Sequence, residues 1–197
     1  MEIVEYDLPI NGSPFVNEIY KKGTISIATQ DGVIEEERLM RFNAFTGNME
    51  YLVPTSEKPR TLLKRENILV VLDNRVYEVH PFSEGGEIDR AFFIPMNPED
   101  EVVLYKKPIK HFKKGKNPDH GYEATRNPEY FDASTYYLRF GEESMVAVKL
   151  NKRSLLNAME DQRADLKTYI SEQNLKVRDE KDALALVRYY NRLEAIN

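Results

Sequence analysis

The 197-residue chain has no cysteine and no tryptophan. Without cysteine there is no disulfide, no thiolate nucleophile and no Cys-ligated zinc or iron–sulfur cluster. The same absence is met in oxidising and reducing compartments, so it fixes neither. Lack of tryptophan weighs against a carbohydrate-stacking cleft. No apolar run approaches the roughly 18 residues that a spanning helix needs, so no transmembrane helix is expected. The opening MEIVEYDLPI is acidic and lacks a basic n-region and an apolar h-region, so no secretory leader is read there.

Catalytic signatures are equally scarce. There is no G-x-S-x-G, and Ser13, Ser134 and Ser154 lie in ordinary surroundings. GKNPDHG lacks the spacing of a phosphate-binding loop. His80, His111 and His120 form no H-x-x-H or H-E-x-x-H, and only His120 has a carboxylate, Asp119, beside it. Neither a metal nor another cofactor is expected. Glu35-Glu36-Glu37 and Glu160-Asp161 read as solvated faces. With 33 acidic residues, some carboxylate pair falls at glycosidase spacing by chance, so such a pair discriminates nothing.

What is present is ordinary globular composition, 41% hydrophobic and 31% charged, with a net charge of −5. That charge argues against a whole-protein binder of nucleic acid or anionic membrane. The length suits a single domain over 1–197. Residues 1–18 read as an irregular lead-in broken by Pro9, Asn11-Gly12 and Pro14.

From 19 to 150 the pattern is β, with period-two alternation punctuated by turn residues. RFNAFTGNMEYLV (41–53) predicts a hairpin turning at Gly47-Asn48, with Ala44 opposite Tyr51 and Phe42 opposite Val53. Arg41, Asn43 and Glu50 then share the opposite, wetter face. Phe45 and Leu52 lie there too, so helices are expected to cover part of it, and a covered Arg41 needs a carboxylate or carbonyls. We read the three as structure rather than site. ILVVLDNRVYEV predicts a hairpin through Asp73-Asn74, and TYYLRFGEESMVAVKL another through Gly141. A two-residue loop at Asp31-Gly32 gives poor cross-strand pairs, which predicts a bulge or exposed edge near Glu35–Glu37. AFFIPM and EVVLYKK complete about 8–10 strands.

After Leu150 the period becomes helical. Asn151 is a good N-cap, Leu155, Met159, Leu166 and Ile170 form one stripe, and Asn174 is a left-handed stop. Asp179 opens a second helix striped by Ala183, Leu186, Val187, Tyr190 and Leu193. The expected fold is α+β, mostly β: a curved antiparallel sheet or partly open barrel capped by two C-terminal helices over 151–197.

The Asp31-Gly32 turn, Arg41-Phe42-Asn43, Met49-Glu50 and the terminal Tyr189-Tyr190-Asn191 together resemble secreted proteins of Bacteroidetes-type bacteria with a β-rich body and a C-terminal helix pair. The resemblance spans most of 20–195. It implies a periplasmic or outer-membrane-associated location, with a cytoplasmic one as the alternative, and it implies no activity.

One stretch invites a partner. YKKPIKHFKKGKNPDHGY sets Lys106, Lys107, Lys110, Lys113, Lys114 and Lys116 among Tyr105, Phe112 and Tyr122. Cations interleaved with aromatics suit an anionic headgroup, a glycan or an acidic protein surface. The run holds no arginine, the better phosphate reader, and nucleic acid is not the expected partner. The binding residues expected are Tyr105, Lys106, Lys107, Lys110, Phe112, Lys113 and Lys114, on an exposed strand and turn. The competing reading is a solvated edge whose lysines prevent aggregation. The expected function is a non-enzymatic envelope binding or interaction protein. The alternatives are a hydrolase with residues scattered over strand ends, and a carrier of lipid or apolar ligands.

Overall fold

The computed structural model describes residues 8–116 and 125–195. Asp119, His120 and Tyr122 of the sequence reading lie outside them, as do residues 1–7. Strands account for 43% of the described residues and helices for 19%. In chain order the strands begin with β1 (Lys21–Thr29), β2 (Gly32–Asn43), β3 (Asn48–Tyr51), β4 (Arg60–Thr61), β5 (Ile68–Leu72) and β6 (Arg75–Glu84). They continue with β7 (Glu87–Pro95), β8 (Val102–Lys107), β9 (Lys110–Lys113), β10 (Glu129–Asp132), β11 (Thr135–Phe140) and β12 (Val146–Val148). The helices are α1 (Lys152–Ala158), α2 (Arg163–Glu172) and α3 (Glu180–Glu194). None is long and apolar enough to cross a membrane.

Ten strands form one antiparallel sheet, ordered β12-β11-β8-β7-β6-β5-β1-β2-β3-β4 and not closed into a barrel, while β9 and β10 pair separately. The chain divides into two compact units that interleave in sequence. The first holds the described residues of Met1–Leu63, Val70–Arg75 and Pro108–Ser134, and the second those of Lys64–Leu69, Val76–Lys107 and Thr135–Asn197.

In the first unit, two hairpin registers differ from the expected ones. β1 and β2 pair Ile27 with Ile34 and Thr29 with Gly32, so the loop is Gln30-Asp31. That shift of one residue places isoleucine opposite isoleucine, and the register runs through Glu35–Glu37 without a bulge. Those glutamates are exposed, as the edge reading had them. β2 and β3 pair Phe42 with Met49 and Arg41 with Glu50, leaving a four-residue loop at 44–47. The cause is Asn43: its Oδ1 accepts from the Phe45 and Thr46 amides at 3.2 and 3.1 Å, so the side chain itself starts the turn. Gly47 closes it at φ 67°. Asp73 and Asn74, at φ 53° and 58°, make the expected tight turn in left-handed conformation.

The second unit is layered by strand alternation. Val102, Leu104, Leu138 and Val148 point to one face, where they pack with Leu155, Met159, Leu166 and Leu186 from the helices. Val103, Tyr105 and Tyr137 point to the other, with Phe82, Ala91 and Phe93. Asn151 caps α1 by accepting from the Ser154 amide, and Asn174 stops α2 at φ 51°. The single first helix expected over this stretch is broken: Met159 leaves helical geometry at φ −118°, ψ 50°, and a 3-10 turn over Glu160–Gln162 precedes α2. The break lets Asp161 accept from the Tyr190 hydroxyl at 2.9 Å, a partner on α3.

α3 is fastened to the sheet by Asn191. Its Oδ1 accepts from the Val102 amide, and its Nδ2 donates to the Val102 carbonyl, both at 2.8 Å. The fully buried Asn97 also donates to the Val102 carbonyl, at 2.9 Å, and accepts from the Leu104 amide at 2.9 Å. Two side-chain amides thus satisfy backbone groups that a neighbouring strand would otherwise serve.

Candidate functional site

In the first unit, the polar residues of β2 and β3 meet on one face. Arg41 Nε donates to Glu50 Oε2 at 3.0 Å, and Asn43 Nδ2 donates to Glu50 Oε1 at 3.0 Å. The Arg41 guanidinium also donates to the Glu18 carbonyl at 3.3 Å and lies 3.5 Å over the Phe15 ring and 4.3 Å over Tyr20. The side chains of Arg41 and Glu50 keep only 21% and 16% of their exposure. A half-buried cation held between two rings and a carboxylate is a satisfied structural centre. Its cover comes from the lead-in rather than from helices. That segment is pinned by Val16 donating to the Phe42 carbonyl and Ala44 donating to that of Pro14.

The lysine run is divided between the units at Pro108, and most of its charges are engaged. In the second unit Tyr105 is a core residue, 4% exposed, because it continues the inward alternation of Val103. This corrects the expectation of an exposed segment from Tyr105 onward. Lys106 donates to Glu180 Oε1 at 2.7 Å, which also accepts from the Tyr136 hydroxyl. Lys107 pairs with Glu84 at 3.3 Å and sits 3.7 Å over the Phe82 ring. In the first unit Lys110 donates to the Ser13 and Phe15 carbonyls at 2.8 and 2.6 Å, so it pins the lead-in rather than facing a partner. Phe112 packs on Tyr130, centroids 4.8 Å apart. Lys113 and Lys114 are exposed. Lys113 has a long pair to Glu129, 3.6 Å, and Lys114 pairs with no described residue. Beside Lys113, an open groove is lined by His111, Phe112, Glu129 and Phe131.

The second unit holds a cluster the sequence reading did not assemble. Glu78 Oε2 accepts from His80 Nε2 at 2.9 Å and from the Tyr105 hydroxyl at 3.0 Å. Burial raises the Glu78 carboxyl, but those two hydrogen bonds, with the charges of His80 and Arg139, outweigh it and hold the carboxyl below its ordinary value. Burial pushes the Tyr105 hydroxyl well above the ordinary tyrosine value, helped by the Glu78 charge. The imidazole sits edge-on to Tyr105 at 5.1 Å, within a ring cluster that includes Phe82, Phe93 and Tyr137. The available signal was E-x-H in a strand, which puts both side chains on one face. The phenol that joins them lies 27 residues away from Glu78.

At the end of α3, a cavity of about 580 Å³ is lined by Glu99, Asp100, Glu101, Glu142, Glu143 and Glu194 over Phe140 and Tyr190. Some of these acids are paired already: Glu99 with Arg188, Asp100 with Asn97, Glu142 with Arg139. Among the described residues, no three carboxylates or histidines are placed to hold a metal. No family model, curated protein or solved structure matches the chain.

Proposed function

We infer that the protein is a non-enzymatic binding or interaction protein, and that its contact surface lies on the first unit. The observation that carries this reading is the exposure of large apolar side chains there: Val33 at 65%, Ile34 at 58%, Phe45 at 51% and Phe131 at 43%. The polar clusters, by contrast, are closed on themselves. The periplasmic or outer-membrane location rests on the resemblance of the Arg-Phe-Asn and Tyr-Tyr-Asn motifs, and fractionation of the producing cell checks it.

The test is site-specific photo-crosslinking in that cell. A probe at Ile34 is expected to give discrete protein adducts, while one at the exposed Lys181 of the second unit gives none. Absence of adducts at Ile34, or equal labelling at both positions, overturns the reading.

A hydrolase is the second reading, and the Glu78–His80–Tyr105 cluster favours it. A carboxylate that orients an imidazole is a general-base arrangement. Turnover of an ester, phosphate or glycoside that disappears in Glu78→Gln would replace the first reading with this one.

A further inference from the structure

The β1–β2 hairpin runs past its neighbours. On the outer side β3 pairs with β2 only over Met40–Asn43, and β5 has five residues against nine in β1. From Gly32 to Glu37 every residue of β2 is exposed. This two-stranded ribbon carries apolar Val33 and Ile34 beside four carboxylates and one guanidinium within residues 31–38. Glu36 is in contact with Arg38, and Glu37 pairs with Lys22 at 2.6 Å. A two-stranded ribbon alone in water is marginal, and its open edges favour addition to another surface.

The β9–β10 hairpin of the same unit is its inverse. Residues 113–116 and 125–129 carry four cations and one carboxylate. Beside them Phe131 is 43% exposed and stands edge-on to His111 at 5.9 Å. Among the described residues each patch joins apolar side chains to charges mainly of one sign, and the signs are opposite; Asp119 and Glu123, between the two counted stretches, lie outside the described residues.

Within one copy the ion pairs of the two patches are local: Glu36 with Arg38, Glu37 with Lys22, and Lys113 with Glu129. β9 begins where the Lys110 amide donates to the Ala44 carbonyl, at the far end of β2. Glu36 is seven residues from Asn43, about 23 Å at the rise of a strand. Even with β9 running straight back along β2, the backbone of its last residue, Lys113, stops on the order of 10 Å short of that of Glu36.

We propose that the partner of this surface is a second copy of the chain: the acidic ribbon of one copy docks on the cationic β9–β10 hairpin of another. Val33 packs against Phe131 and His111, and Glu35 and Glu37, which share its face of the ribbon, face Lys113 and Lys114. The inference rests on the reading of the first unit as a contact surface. Because the charges are exposed, the association is screened by salt.

Light scattering on the purified full chain tests it. At low salt the wild type is expected to contain two or more copies, and at high salt one. E35K/E36K/E37K and K113E/K114E, each checked for wild-type circular dichroism, are each expected to remain single at low salt. Mixing the two variants restores association, since the ribbon made basic now meets the hairpin made acidic. A single-copy wild type at low salt overturns the proposal, as does either variant associating like wild type or a mixture that stays single. If the wild type is single while the Ile34 probe still captures other proteins, this inference fails and the contact-surface reading stands.

Discussion

The second unit places three helices on one face of its strands and buries a continuous apolar layer between them. The first has no helix among its described residues, and the lead-in that covers the Arg41 face is irregular chain. Of the eleven large apolar side chains exposed among the described residues, nine belong to the first unit and two, Ile88 and Val146, to the second. The polar groups of both units are similarly well paired. The difference lies in the apolar surface, which one unit covers and the other leaves in water. A sheet that exposes apolar side chains without a covering layer is a surface suited to contact.

The largest test of that contrast is Leu166→Ala. Leu166 is fully buried among helix and sheet residues of the second unit. Its truncation should cost about 3 kcal/mol by lost burial and a residual cavity. The urea midpoint of the helical circular-dichroism signal, which among the described residues comes from the second unit, measures it. A loss near zero would mean that the helices are not a packed layer.

Next is Arg41→Ala in the first unit, expected to cost about 2 kcal/mol. The loss comprises two ring contacts and the ion pair, and it leaves Glu50 half-buried without its cation. Amide exchange of β2 and β3 should quicken, and a double-mutant cycle with Glu50→Gln should show coupling. Additive losses would reduce the cluster to independent surface contacts.

These two tests fall on features that differ in how far the sequence revealed them. The helix caps at Asn151 and Asp179, the stop at Asn174 and the Asp73-Asn74 turn depend on neighbours within a few residues, and each was legible. The face shared by Arg41, Asn43 and Glu50 was legible too, since period two survives an error in loop length. The loop length itself was not, because the Asn43 side chain replaces a backbone turn. The fate of the lysines was hidden for a different reason. Lys106 finds Glu180 at a separation of 74 residues, and Lys110 finds the Ser13 carbonyl at 97. Composition shows a cationic run, but only the fold reveals that Lys106 and Lys110 are engaged. The Tyr189-Tyr190-Asn191 triplet has a structural use for each member: stacking on Tyr169, donation to Asp161, and anchorage to Val102.

Asn191→Ala should cost about 1–2 kcal/mol, since it leaves the Val102 amide and one donor to its carbonyl unreplaced. Faster exchange confined to the Val102 amide and the end of α3 is the expected signature. Glu78→Gln should cost about 1 kcal/mol at neutral pH. The Glu78 carboxyl is held below its unfolded value, so its stabilisation is present above the ordinary glutamate range and is lost as pH falls through the depressed folded value. Urea midpoints of wild type and variant should therefore converge on acidification. A gap that stays constant with pH would mean that the ionised form is not what His80 and Tyr105 hold.

The smallest expected effect on stability is that of Val33→Ser with Ile34→Ser. Both side chains are already mostly in water, so the double variant should lie within about 0.5 kcal/mol of wild type. Serine costs some strand preference at both positions, and Ile34 loses its cross-strand partner Ile27. Those losses set the upper end of that range. A loss of several kcal/mol would show that the two residues support the hairpin and are exposed only incidentally, which removes the main contrast between the units. With stability unchanged, the same variant should still lower the low-salt mass, because it takes away the apolar part of the contact and leaves every charge in place. A mass that falls with Val33 and Ile34 removed, yet is restored by neither lower salt nor added wild-type partner, would assign the contact to burial rather than to charge steering.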